Sequence, residues 1–94
     1  MNPAADEKLR LRIDDLAWRE VGDELVILEV TTTSYLTLNG SARMLWDRLA
    51  DGVTRSELTE ALVERYGIAT ERADRDVDAF LKVLGQRSLL DTTV

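Results

Sequence analysis

The chain contains neither cysteine nor histidine, and these two absences exclude most of the chemistry that a small enzyme uses. Without cysteine, the 94-residue chain can form no disulfide bond and no thiolate nucleophile. Without histidine, it lacks the commonest general base and the commonest zinc ligand. We therefore expect no metal ion and no other cofactor, and we expect that the protein is not an enzyme.

Long apolar runs and an excess of positive charge are also missing. The longest apolar runs have four residues or fewer, whereas a membrane-spanning helix needs about 20. The first ten residues lack the apolar stretch of a signal peptide, so we expect a cytoplasmic protein that does not contact a membrane. The net charge of −6 opposes binding to phosphates, so no nucleic-acid partner is expected and a basic partner is mildly favoured.

The composition that remains is typical of one small folded domain. Hydrophobic residues make up 45% of the chain, which is enough for one modest core at this length. Residues 1–8 hold the only proline and show no periodicity, so we predict a flexible arm there. Residues 9–94 are predicted to form a single domain.

Alternating apolar and polar residues predict short strands in the first half of the chain. Residues 9–13 alternate and form either an extra strand or an extended arm. Residues 18–21 form a better strand, which ends at a Gly-Asp turn signal. Residues 25–28 are apolar on both faces, as expected of a strand in the middle of its sheet. The next strand is Ser34–Leu38, and the three threonines at 31–33 predict a wide loop before it, because a tight turn needs Gly or Asn.

Capping residues and one-sided apolar spacing predict three helices in the second half. Asn39 can cap the first helix, which a glycine ends. Thr54 and Glu57 form a capping box at the start of the second helix, and Thr70 can cap the third. The residues that helical spacing places on inward faces are Ala42, Leu45, Trp46 and Leu49, then Leu58, Ala61, Leu62 and Tyr66, and finally Ala73, Val77, Phe80, Leu81 and Leu84.

The order of elements predicts the fold class. Three consecutive strands joined by short connections form an antiparallel meander, and three helices follow it. Strands and helices in this arrangement predict an α+β domain with a winged-helix-like fold, in which a three-stranded antiparallel sheet precedes three helices.

Clusters of acidic residues offer no convincing catalytic or metal site. The acidic residues of the third helix are Glu71, Asp74, Asp76 and Asp78. A spacing of two scatters side chains around a helix, so a solvated face with favourable charge near the helix N-terminus is the better interpretation. The pair Asp14-Asp15 favours a turn, because adjacent side chains point apart in an extended chain.

The last two helices are close enough in sequence to form a helix-turn-helix, which keeps a winged-helix DNA-binding regulator open as an alternative. Such a protein needs a basic recognition helix. The third helix carries Arg72 and Arg75, but its four acidic residues would repel phosphates.

The strand Ser34–Leu38 carries the clearest functional signal. Alternation places Leu36 and Leu38 on one face and Tyr35 and Thr37 on the other, where an exposed tyrosine is suited to contact a partner. If the sheet order follows the chain, this strand has one neighbour, and it has no Lys or Pro to protect its free edge. Either the third helix or the N-terminal arm covers that edge, or an extended peptide adds to it as a further strand.

The residue pattern resembles the PqqD-like family, the leader-peptide recognition elements of ribosomally made, modified peptides. The resemblance covers about residues 16–90. The residues that carry it are Trp18, the apolar second strand, Tyr35-Leu36-Thr37-Leu38-Asn39, Ala42 with Leu45-Trp46, Gly52-Val53-Thr54, Leu58 with Leu62 and Tyr66, Asp76-Val77, Phe80-Leu81 and Leu84.

The resemblance implies that the leader of a precursor peptide adds antiparallel to the third strand, in a cleft walled by the third helix. The pairing strand would consist of Ser34, Tyr35, Leu36, Thr37 and Leu38. The candidate wall residues are Val77, Phe80, Leu81 and Leu84, of which some must serve the core, and Asp76 is a candidate polar contact.

The resemblance also implies a partner enzyme. The favoured subgroup is the small partner of the lasso-peptide leader peptidase, to which the protein would deliver its precursor. The alternative is PqqD proper, which presents a precursor to a radical SAM enzyme. One departure from the family is the threonine loop at 31–33, where family members often carry a glycine.

Overall fold

Two small sheets and three helices make up the structure. The computed structural model describes residues 8–14 and 16–93. The elements are β1 (Lys8–Leu11), β2 (Leu16–Val21), β3 (Glu24–Glu29), β4 (Ser34–Leu38), α1 (Gly40–Asp51), β5 (Val53–Thr54), α2 (Arg55–Tyr66), α3 (Thr70–Gln86) and β6 (Leu90–Thr93).

The predicted three-stranded meander is confirmed as an antiparallel sheet in the order β2-β3-β4. Its middle strand β3 is apolar on both faces, as a strand with two neighbours should be. A two-residue turn joins β2 to β3, whereas four residues, 30–33, join β3 to β4. Within this wide loop Thr33 has a φ of +58°, a left-handed conformation that β-branched residues rarely adopt.

A second sheet, in the order β5-β1-β6, joins distant parts of the chain. β1 pairs antiparallel with both of its neighbours, so that Leu11 lies opposite Leu90. Residues 9–11 are therefore a strand and not an extended arm. Lys8 already belongs to β1, whereas the rest of the predicted arm, residues 1–7, lies outside the described residues.

The helices bury their apolar faces against both sheets. The largest fully buried side chains are Trp46, Ile27, Leu45, Leu49, Leu58, Leu62, Leu84 and Val77. On the β2 side, α1 covers the sheet: the Trp18 ring meets Trp46 edge-on at 6.2 Å between centroids, and Arg43 pairs with Glu20 at 2.7 Å. Leu89 is buried, so the segment after α3 returns to the core as predicted.

The structure confirms one predicted helix cap and corrects three other predictions about the helices. The Thr54–Glu57 capping box is present, with both of its hydrogen bonds. Asn39 occupies the N-cap of α1, but its side chain makes no capping hydrogen bond. Thr70 is the first residue of α3 and Ala69 is the N-cap, so the predicted Thr70 cap is wrong. Tyr66 is 44% exposed and does not belong to the inward stripe of α2, because it ends the helix beyond the core.

No helix of the described residues combines the length and the apolar character needed to cross a membrane.

Candidate peptide-binding groove

The free edge of β4 is the first wall of the candidate groove. In the described structure β4 pairs with β3 alone, from Ser34 opposite Glu29 to Leu38 opposite Leu25. The predicted edge position is therefore confirmed. The other edge strand of this sheet, β2, carries the charged residues Arg19 and Glu20, whereas β4 carries none. Charged side chains discourage strand addition, so β4 is the more receptive of the two edges.

The side chains of β4 alternate as predicted. Leu38 is buried and Leu36 is partly buried against the core. Tyr35 is 63% exposed and Thr37 is also exposed. The inward residues thus anchor the strand, and a peptide could add to its edge without displacing the core.

Tyr35 lies on the outer face of the sheet, away from the helices. There it lines a shallow depression of about 330 Å³ together with Val26 and Leu28. This position agrees with the predicted outward orientation of the tyrosine.

One ion pair and one cavity relate the two ends of α3 to the meander. Arg87 Nη1, directly after α3, donates to Glu29 Oε2 at 2.9 Å, and Glu29 lies in β3 between Leu16 of β2 and Ser34, the first residue of β4. Near the start of α3, Asp76 lines a cavity of about 320 Å³ with Ser41 of α1. The end of α3 therefore lies where β4 begins, and its start lies near α1, which follows β4.

The lengths of the two elements agree with this placement. The eleven steps from Asp76 to Arg87, the C-cap residue, span about 16 Å at 1.5 Å per step. The five residues of β4 span about 13 Å at 3.3 Å per step. One stretch of α3 can thus follow the whole of β4.

One face of α3 carries the contact with the meander. Asp76, Phe80, Val83 and Arg87 recur at i, i+4, i+7 and i+11, so they share a helical face. Arg87 contacts β3 through Glu29, so Phe80 and Val83 lie on the side of α3 that makes this contact. Phe80 is 9% exposed and Val83 is 40% exposed. This partly apolar face is the candidate second wall of the groove.

Sequence reasoning missed Val83, because it lies beside the inward stripe of α3 and not within it. The signal was nevertheless present: an apolar residue three positions after Phe80 and four before Arg87 extends the same face. An exposed valine at this place is available for contact with a peptide.

Leu81 lies on a different side of α3. It follows Asp74 and Asp78 at i+7 and i+3, which places it on their face. That face contacts α2: Thr59 Oγ1 donates to Asp74 Oδ1 at 2.8 Å, and Arg55 pairs with Asp78. Leu81 is partly buried against the core, so the structure places it on the α2 side of the helix and away from β4.

Two of the predicted wall residues serve the core. Val77 and Leu84 are both 0% exposed, and they share the inward stripe of α3 with the buried Ala73. Of the ten residues proposed for peptide binding, the five of β4 lie on an edge strand, and Asp76 and Phe80 share the candidate second wall on α3. Whether any of them contacts a peptide stays a prediction.

The acidic residues that the structure describes were also candidates for a metal site. In the part of the chain that the structure describes, no group of three or more carboxylates is placed to hold a metal ion. Asp14 is exposed, and its neighbour Asp15 lies outside the described residues. The pKa of Glu57 is held below its ordinary value by hydrogen bonds from the backbone N–H and then the hydroxyl of Thr54.

Solved structures of other proteins have the same fold as this chain. Among solved structures that resemble this chain is "TbiB1 in Complex with the TbiA(beta) Leader Peptide", with a TM-score of 0.79 and 25% identity over 90% of this chain and 98% of that chain. Another is "Lasso peptide synthetase B1 complexed with the leader peptide", with a TM-score of 0.78 and 24% identity over 88% of this chain and 96% of that one. No curated protein has a sequence that significantly matches this chain.

The family match agrees with the resemblance seen in the sequence. Residues 24–90, from β3 to the first residue of β6, match the family described as "Coenzyme PQQ synthesis protein D (PqqD)". This segment contains both walls of the groove and more than half of the chain. The protein is therefore a member of the PqqD family.

Proposed function

We propose that this protein binds the leader of a ribosomally synthesised precursor peptide as an additional strand on β4 and delivers it to a separate processing enzyme. The observation that carries the proposal is the charge-free edge of β4, which pairs with β3 alone in the described structure. Main-chain hydrogen bonds to the edge would supply affinity, and side chains of the leader would contact Phe80 and Val83.

The expected strength of binding follows from a small number of contacts. Two or three apolar leader side chains would each contribute about 1.5–3 kcal/mol on burial. Main-chain pairing adds to this, and association costs at least about 4 kcal/mol. A dissociation constant in the micromolar range or somewhat lower, about −8 kcal/mol or beyond, is therefore expected.

The likeness to TbiB1 supports the leader as the ligand, since that protein is 25% identical over almost its whole length and its structure contains a leader peptide. The sequence resemblance to the lasso subgroup supports a leader peptidase as the partner enzyme. This protein would act as a non-catalytic adaptor, because it has neither His nor Cys.

A second candidate is presentation of a precursor to a radical SAM enzyme, as the resemblance to PqqD proper implies. The family match favours this candidate as much as the first. Both use the same groove and differ in the enzyme that receives the peptide. DNA binding is disfavoured, because Glu71, Asp74 and Asp78 are exposed on α3 and would repel phosphates.

A titration separates leader binding from DNA binding. The probe is a fluorescent synthetic peptide with the leader sequence of a candidate precursor, chosen from the genes that neighbour the gene of this protein, and we call it the leader peptide below. We expect a micromolar or lower dissociation constant for the leader peptide, no saturable binding of a scrambled peptide and none of a duplex DNA. Because apolar and main-chain terms dominate, the affinity should change little between about 50 and 200 mM salt.

A steep loss of affinity over this range would show that charge drives the binding. Saturable binding of the DNA without binding of the leader peptide would contradict the proposal. Cleavage or modification of a precursor by the purified protein alone would contradict the adaptor role.

A further inference from the structure

The ion pair between Arg87 and Glu29 links α3 to the strand next to β4. Arg87 is the C-cap residue of α3, and Glu29 is the last residue of β3. The Glu29 side chain is 13% exposed and that of Arg87 34% exposed, so the pair is partly buried. A partly buried pair is less screened by solvent than one on the open surface.

The two other ion pairs of the described residues lie elsewhere. Arg43–Glu20 joins α1 to β2, and Arg55–Asp78 joins α2 to α3. The hydrogen bond from Thr59 to Asp74 also fastens α3 to α2. These polar contacts therefore fix α3 relative to α2. They do not fix the distance between α3 and β4, which depends on other interactions.

The end of α3 has a turn that brings Arg87 towards the sheet. Ser88 has a φ of +58°, and Leu89 N donates to Leu84 O at 2.9 Å, which closes the helix. Arg12 N, in the segment after β1, donates a hydrogen bond to Leu89 O at 2.7 Å. The backbone at this end is thus fixed to the second sheet, whereas the Arg87 side chain reaches the first.

We infer that the Arg87–Glu29 pair positions α3 relative to β4 and so sets the width of the groove for an added strand. Glu29 lies in the middle strand, opposite Leu16 of β2 on one side and Ser34 of β4 on the other, so the pair ties the end of α3 to the strand that carries β4. This inference rests on the proposed function, because the groove width matters only if a peptide occupies it. Arg87 and Glu29 are positioning residues and need not touch the leader.

A purely stabilising role makes a different prediction. In that case, loss of the pair would lower the melting temperature and leave the affinity of the folded protein unchanged. A positioning role predicts weaker binding by protein that remains folded, and a wider range of distances between α3 and β4 even without peptide.

Four variants test the pair through its effect on binding. They are Glu29→Gln, Arg87→Gln, the double variant and Arg87→Lys, each checked for folding by circular dichroism and then titrated with the leader peptide. Each single Gln variant should bind about fivefold more weakly, the effect of losing one ion pair. The double variant should lose no more than the single variants, because the two residues act together, and Arg87→Lys should retain part of the affinity.

The matched control is Glu20→Gln, which breaks the ion pair on the β2 side of the sheet. It should leave the affinity for the leader peptide unchanged. The width of the groove is measured separately by double electron–electron resonance, with spin labels on Thr37→Cys and Lys82→Cys. The chain has no native cysteine to interfere, and the distance distribution should broaden in Glu29→Gln without any peptide.

The outcomes distinguish this inference from the proposed function. If the parent binds the leader peptide and the folded Glu29→Gln and Arg87→Gln variants bind it equally well, the positioning role is overturned and the proposed function stands. The same holds if Glu20→Gln weakens binding as much as they do. If the parent itself does not bind, the proposed function fails. An unchanged distance distribution in Glu29→Gln overturns the positioning role whatever the binding result.

Discussion

Thr33 combines a left-handed backbone with a branched side chain. Its φ is +58°, where an L-residue other than glycine is strained by roughly 1–2 kcal/mol. Glycine adopts this conformation freely, but a glycine loses more conformational entropy on folding, which costs about 0.5–1 kcal/mol. We therefore expect Thr33→Gly to raise the free energy of unfolding by up to about 1 kcal/mol, as measured by urea denaturation.

The neighbouring Thr32 provides the matched control. It has no positive φ, so Thr32→Gly relieves no strain. The substitution should only increase the conformational entropy lost on folding and should not stabilise the protein. Equal effects of the two substitutions would contradict a local strain at Thr33.

The capping box at α2 predicts a specific dependence of stability on pH. Glu57 Oε1 accepts a hydrogen bond from Thr54 N at 2.9 Å, which lowers the pKa of the carboxyl in the folded state. The contribution of Glu57 is then complete above its unfolded-state pKa and is lost as the pH falls through its lower folded-state pKa. We expect Glu57→Gln to be less stable than the parent near neutral pH and equally stable in acid.

Urea denaturation of both proteins over a series of pH values measures this difference. The effect will be small, because the carboxyl is exposed and screened by solvent. A difference that stays constant from neutral to acidic pH would contradict the assigned role of the ionised carboxylate.

At the scale of elements, local signals in the sequence predicted most of the fold. The meander and the three helices follow from alternation, turns and caps, each of which depends on neighbouring residues. β5 and β6 could not be predicted, because they exist only through pairing with β1, and β6 lies about 80 residues from β1 along the chain. Their short sequences carry little alternation of their own.

The groove was predictable in part for the same reason. The edge position of β4 follows from the order of strands, and its inward and outward residues follow from alternation. The choice among the apolar residues of α3 did not follow, because the sequence shows one stripe and cannot show what lies on each flank. Two tertiary contacts, Arg87–Glu29 and Arg55–Asp78, separate the flank of α3 that contacts the meander from the flank that contacts α2.

This separation gives a prediction for α3. Val83→Ala and Phe80→Ala should each weaken binding of the leader peptide by about 1–3 kcal/mol, because both lie on the face near β4. Leu81→Ala, on the α2 side, should leave the affinity of the folded protein unchanged. Val83 is 40% exposed, so its truncation should affect stability less than that of Phe80.

Fluorescence titration of the three variants, with thermal melts as a check on folding, measures these effects. A loss of affinity in Leu81→Ala alone would contradict the assignment of the two faces. Unchanged binding by folded Val83→Ala and Phe80→Ala would show that α3 does not wall the peptide site.

For the whole molecule, charge and architecture point to the same partner chemistry. The net charge of −6 and the exposed acidic residues of α3 oppose phosphates, while the meander offers one edge without charged side chains. α1 packs against β3 and contacts β2 through Trp46 and Arg43, and the end of α3 contacts β3 through Arg87. The edge of β4 is thus the part of the meander that best suits an added peptide strand.

The central claim is that a leader peptide adds as a strand to β4, and amide hydrogen exchange measured by NMR tests it most directly. In an antiparallel ladder, alternate residues face each neighbour. We predict that the leader peptide slows exchange at one alternate set of amides, either Tyr35 and Thr37 or Ser34, Leu36 and Leu38, and that the edge of β2 is unaffected. Saturating peptide that leaves exchange throughout Ser34–Leu38 unchanged, or that slows β2 instead, would contradict the account.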